Sequence, residues 1–164
     1  MLTPFRVEPP LASNVTHESD ALVLAMLGPV CIAIWRKRPT WQTFELQRKQ
    51  LASAVAGHPL RAAFLCLVEE NTEPPEQALR AASAEMIESH HGQLSAVACV
   101  VEGSGFRAAI TRTVLSSMML LARSMPPVRV FDSAFAATPW LSSKLGGMDL
   151  STLAHGVDDL RRHR

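Results

Sequence analysis

The sequence predicts an α/β domain on a mostly parallel sheet. Three features of the stretch 95–141 (SAVACVVEGSGFRAAITRTVLSSMMLLARSMPPVRVFDSAFAATPWL) carry that prediction. Val97, Ala98, Cys99, Val100 and Val101 are apolar at every position. A strand with two apolar faces belongs inside a parallel sheet. Gly103 and Gly105 flank Ser104 and free the backbone at the strand end before a helix opens at Phe106. That helix runs to about Ser124, where Pro126 and Pro127 stop it, and Val128, Val130 and Phe131 form the next strand. A strand–helix–strand unit of this size is a parallel crossover, right-handed in nearly all cases.

The other elements follow in order. Residues 1–19 read as an irregular, Pro-rich leader. Phe5 and Val7 alternate with polar neighbours and suit a short edge strand that Pro9 and Pro10 end. Residues 21–27 and 30–35 form two strands, with Gly28-Pro29 as a tight hairpin turn. Thr40 is the expected cap of a helix with Phe44, Leu46, Leu51 and Val55 on its apolar side, closed by Gly57. Residues 62–68 (AAFLCLV) make a third main strand, apolar on both faces. Pro74 and Pro75 fit the first turn of a second helix, in which Ala78, Ala81, Ala82, Met86 and Ile87 keep helical period. After the central unit, residues 132–145 read as a helix broken at Pro139, with Asp132 capping the first part and Thr138 the second. Gly146-Gly147 is a linker, and Leu150, Leu153, Val157 and Leu160 give a short helical tail that docks, binds a partner or frays. The expected order is β-β-α-β-α-β-α-β-α: five main strands and four helices, with a leader (1–19), a single domain (20–145) and a linker with tail (146–164).

Composition narrows the function classes. With 164 residues, 48% apolar and 19% charged, the chain can bury a core and is not of disordered type. A net charge of +1 offers no basic surface for nucleic acid, and the absence of Tyr argues against a base-stacking platform. Cys31, Cys66 and Cys99 stand singly within strands, fit no zinc or Cys-x-x-Cys spacing, and read as small core hydrophobes in a reducing cytoplasm. The apolar run 21–35 precedes Arg36, Lys37 and Arg38, but it is 15 residues long and divided by Gly28-Pro29. A spanning helix needs about 20 residues. Two buried strands explain the run, so a cytoplasmic protein with no membrane span is expected.

The order and cadence resemble the STAS superfamily (sulfate-transporter and anti-sigma-factor-antagonist domains), most closely its stand-alone bacterial members described as related to lipid-binding Sec14 modules. The strand AVACVVEG, the helix after it and VRVFDSAFAATPWL carry the resemblance. Members of that group close with an RVF…A…WL segment, matched by Arg129, Val130, Phe131, Ala137, Trp140 and Leu141. The likeness covers residues 21–145 and is mostly core patterning. It implies a small, non-enzymatic bacterial signalling domain that works through protein contacts. Some members are switched by phosphorylation in an Asp-Ser-Ser-Gly-like loop. That motif is missing after residue 68, where Thr72 is the only hydroxyl in Glu69-Glu70-Asn71-Thr72-Glu73, and Gly103-Ser104-Gly105 lies one crossover later. Thr72 and Ser104 are therefore the candidate phospho-acceptors.

Glu102, Gly103, Ser104, Gly105, Phe106 and Arg107 form the sharpest local feature, at the strand end where open α/β sheets bind ligands. Helix N–H groups with Arg107 would suit an anion or a protein contact, while a plain N-cap at Ser104 accounts for the same residues. The segment is neither a P-loop nor a dinucleotide fingerprint, and it is too compact for a nucleophile elbow. His58, His90 and His91 read as capping or solvated groups, and His17, His155 and His163 lie in the tails. Glu69, Glu70 and Glu73 form a small acidic loop beside a helix start. No catalytic set, cofactor motif or metal-ligand cluster emerges.

The third helix is apolar around most of its circumference, with Ile110, Val114, Met118 and Met119 as its expected contact residues. The expected function is a non-catalytic regulatory module. Its strand-end loops face a protein partner, and its third helix supports a dimer or second contact. The alternative is a lipid or other apolar molecule held between the sheet and that helix.

Overall fold

The computed structural model describes residues 13–121 and 124–162, apart from the side chains of Met118 and Leu121. One six-stranded sheet runs in sequence order: β1 (Ser13–Glu18), β2 (Leu22–Leu27), β3 (Val30–Trp35), β4 (Ala62–Val68), β5 (Leu94–Val101) and β6 (Val128–Phe131). The first two pairings are antiparallel, and β3 through β6 are parallel. The described residues also hold five helices: α1 (Trp41–Gly57), α2 (Gln77–Ser89), α3 (Phe106–Leu121), α4 (Ala134–Lys144) and α5 (Leu153–Arg162). The class is α/β, as expected, with one strand and one helix more than the expected five and four.

Repeated right-handed crossovers that step the same way across a sheet put their helices on one face. Core membership follows this rule. Leu22, Leu24, Cys31, Ala33, Trp35, Phe64 and Val97 pack with Phe44, Leu51 and Val55 of α1 and Leu79, Met86 and Ile87 of α2. The alternate strand residues, among them Val23, Ile32, Ile34, Leu65, Leu67 and Val100, pack with Ala137 and Leu141 of α4 and with Leu153, Val157 and Leu160 of α5. The unbroken apolar strands are thus satisfied on both sides. Fully burying each Leu or Val contributes about 1.5–3 kcal/mol.

Several local expectations hold. Gly28 takes φ 54 in the β2–β3 turn, where Leu27 pairs with Val30. Thr40 caps α1, its side chain accepting from the Thr43 N–H while Thr43 caps back. Others are corrected. The leader is not irregular throughout, because residues 13–18 pair with β2 as an edge strand. Its mostly polar, exposed residues hid it, and backbone pairing holds it, together with contacts of Thr16 Oγ1 to the Leu24 carbonyl at 3.3 Å and to Gln50 Oε1. The strand suggested at Phe5 and Val7 lies outside the described residues.

α2 starts after Pro74 and Pro75, with Glu76 at its N-cap and that carboxylate accepting from Trp41 Nε1 at 3.0 Å. α4 is continuous through Pro139, and Ser133, not Asp132, caps it. Thr138 does not start a second helix; its hydroxyl donates to the Ala134 carbonyl at 2.9 Å. The N–H that proline lacks would have met the carbonyl of Phe135, whose side chain is 80% exposed, so the loss falls on the wet side of the helix.

Candidate functional site

Past the carboxyl ends of β3, β4 and β5, where a ligand or partner is expected, the chain's own α5 is bound, while the ends of β5 and β6 border an open cleft lined by Gly103, Ser104, Arg112, Arg129 and Asp132. Arg161 donates from Nη1 and Nη2 to the two carboxylate oxygens of Glu102, each at 2.6 Å, and from Nε to Glu69 Oε1 at 3.3 Å. Arg36, at the end of β3, donates to the carbonyls of Leu160 at 2.9 Å and Arg161 at 3.4 Å. A cation there complements the carboxyl terminus of α5. Burial pushes the Glu102 carboxyl above its ordinary range, and Arg161 pulls against it. Glu69 and Glu102, expected to face a protein partner, are part-buried, and Arg161 pairs with both of their carboxylates. The tail docks because Leu150, Leu153, Val157 and Leu160 bury completely or nearly so against the sheet.

The glycine loop is shaped by close approach. Gly103 has φ 92, and a Cβ there would lie 2.7 Å from Glu70 Cγ. Gly105, not Ser104, supplies the first helical acceptor, taking the Ala109 N–H at 3.2 Å, so Ser104 stands exposed outside α3. Arg107 and Phe106 are exposed. The arginine that ties the loop down is Arg112, one turn further on, donating to the carbonyls of Val101 at 2.9 Å and Gly103 at 2.8 Å. Thr72 is not an accessible phospho-acceptor in this fold. It is buried and donates to the Trp35 carbonyl at 2.9 Å, where a phosphate would bring about two negative charges into an apolar wall.

α3 differs from α1 and α2. Its one fully buried residue among those described is Ala108. Val114, Leu115 and Met119 point inward yet stay half-buried, because a pocket of about 140 Å³ separates them from the sheet. Small residues of β4 and β5, Cys66, Val97 and Cys99, form part of the lining, and Phe64, Met86, Ile87 and Met125 add apolar wall. Cys66 and Cys99 are direct neighbours on paired strands, and what surface they keep faces this pocket. Burial pushes the Cys99 thiol up to about 12 and that of Cys66 higher still, with Cys99 beside it adding to the shift. Both are neutral thiols at physiological pH, so they behave as apolar lining rather than as nucleophiles.

The polar groups in the wall are mostly internally paired. Gln47 Oε1 accepts from Trp35 Nε1 at 2.9 Å, Ser83 donates to Leu79, Thr111 donates to Arg107, and Glu73 lies 3.9 Å from Arg38. Among the expected contact residues, Val114 and Met119 line the pocket. Ile110 points outward, 41% exposed, and the Met118 side chain lies outside the described residues. Residues from α1 and α2, such as Gln47 and Arg80, were missed as lining. The readable signal was a methionine-bearing helix above strands whose facing residues are Cys and Val, a combination too small to fill an ordinary helix–sheet gap.

Among the described residues no His, Cys, Asp or Glu group is arranged to hold a metal, and no helix is long and apolar enough to cross a membrane. His91 Nδ1 lies 3.1 Å from the Glu88 carbonyl and His90 Nδ1 lies 3.1 Å from Gln93 Oε1, local contacts at the end of α2. Comparison with family models, curated proteins and solved structures returned no match.

Proposed function

We propose that this domain binds a small apolar molecule in the pocket between its sheet and α3, and that it acts without catalysing a reaction. The observation that carries the reading is the 140 Å³ apolar space under a helix that buries almost nothing of its own. Its size compares with the roughly 150 Å³ cavity that stays dry and admits benzene. Met86, Met119 and Met125 line it, and flexible thioethers adapt to a guest. Native mass spectrometry of the full chain, paired with the Cys99→Leu variant, tests this. An apolar adduct on the wild type that the variant loses, with the melting temperature kept, supports the reading. Bare protein in both, together with no saturable binding of an uncharged probe such as 1-octanol, overturns it.

A second reading, a STAS-type regulatory module acting through protein contacts or a homodimer, draws on the outer face of α3. Phe106 (82% exposed), Ile110 and Leu120 (87% exposed) recur there at helical spacing. Large exposed apolar side chains grouped on one helix mark contact surfaces more often than chance. The two readings are compatible, since a guest beneath α3 would act on the same helix whose outer face a partner reads. Exposed Ser104, rather than Thr72, is the phospho-acceptor in this version.

A further inference from the structure

We infer that the pocket's guest is a monocarboxylate, an apolar body ending in one carboxylate that pairs with Arg80; this rests on the apolar-ligand reading above. Arg80 lies on α2, half-buried, and its side chain contributes to a lining that is otherwise almost wholly apolar. A guanidinium beside such a surface lays its aliphatic stem along the wall and keeps its head at the wet edge. The other polar side chains of the wall have partners: Gln47 with Trp35, Thr72 with the Trp35 carbonyl, Ser83 with Leu79, Thr111 with Arg107, and Glu73 near Arg38. The Arg80 guanidinium has no hydrogen-bond or ion-pair partner among the described residues.

One unpaired planar cation at the edge of an apolar pocket matches one carboxylate, which it can take with two parallel hydrogen bonds. The neutral thiols of Cys66 and Cys99 in the lining offer no second cation for a dianion. The volume suits a single ring or a buried chain of about six carbons, with the head and the carbons next to it at the open edge, by comparison with the benzene-sized cavity.

The test titrates the full chain with octanoate and with 1-octanol, two probes that share an apolar body and differ in the head. Wild type is expected to bind octanoate about ten- to a hundred-fold more tightly than octanol, the range for a charge-assisted pair. Arg80→Met is expected to bring octanoate down to the octanol level and leave octanol unchanged, while Arg80→Lys keeps part of the preference. Far-UV circular dichroism and the melting temperature check that both variants fold, and Arg80 has no internal partner for them to lose. Equal binding of the two probes by wild type, or an octanoate preference that survives Arg80→Met, overturns the role of Arg80 and leaves the apolar pocket standing. Binding of neither probe overturns both readings together.

Discussion

Arg161 holds two carboxylates that come from different strands, and the balance of forces on them sets what its removal does. Glu102 is desolvated enough that its carboxyl sits above the ordinary range in spite of a bidentate arginine, so burial outweighs pairing. Arg161→Ala leaves both Glu69 and Glu102 without this partner and is expected to cost about 1–2 kcal/mol, less than for a fully buried pair because the site is part-exposed. Glu102→Gln keeps the shape, removes the buried charge and is expected to cost less than Arg161→Ala at neutral pH. The pH dependence has a definite sign. A carboxyl whose folded value is raised binds its proton more tightly in the folded state, so its ionisation weakens the fold as pH rises through that raised value. Wild type therefore loses ground relative to Glu102→Gln between acid and neutral pH, a trend that thermal melts of both proteins over that range would show. A difference that grows in the opposite direction would mean that the Arg161 pair dominates.

α5 and α3 are opposites in what they bury. α5 places Leu153, Val157 and Leu160 on one stripe and packs them against the sheet face that the crossover helices do not cover. It is part of the domain and not an appendage. Leu153→Ala is expected to destabilise the fold by about 2–4 kcal/mol, as a large-to-small change in a closed core, and urea melts measure it. The matching change in α3, Leu115→Ala, is expected to cost less than half as much, because Leu115 already borders empty space. Equal losses at the two sites would mean that α3 is as tightly packed as α5. The hydroxyls along α3 do not compensate: Thr111, Thr113 and Ser117 each donate to the carbonyl four residues back in their own helix.

At the scale of the molecule, the sheet grows in one direction, and its order decides which faces are covered and which ends are free. The crossover helices share one face, α4 and α5 take the other, and the C-terminal strand ends are closed by Arg36, Glu69, Glu102 and Arg161. What remains open is the flank under and over α3, together with a cleft of about 600 Å³ at the ends of β5 and β6 lined by Gly103, Ser104, Arg112, Arg129 and Asp132. If the outer stripe of α3 joins two copies, replacing Phe106 with Ser and Leu120 with Lys is expected to shift the protein from dimer to monomer in sedimentation equilibrium, with the melting profile at low concentration unchanged. A wild type that sediments as a monomer at all concentrations overturns the dimer.

Much of this architecture is legible in the chain itself. Short apolar runs bounded by turn residues, such as 62–68, read as strands buried on both sides, and the capping residue Thr40 and the turn at Gly28-Pro29 act within a few residues, so local chemistry places them. The exposed edge strand at 13–18 left no pattern because it buries little, and Pro139 misled because the missing hydrogen bond falls on the solvent side. Long-range pairing alone joins Arg161 to Glu69 and Glu102, 92 and 59 residues away, and engages the two strand-end carboxylates within the chain. The pocket likewise depends on how high α3 rides above Cys66 and Cys99. The packing of three separate elements sets that height, and no single stretch of sequence encodes it.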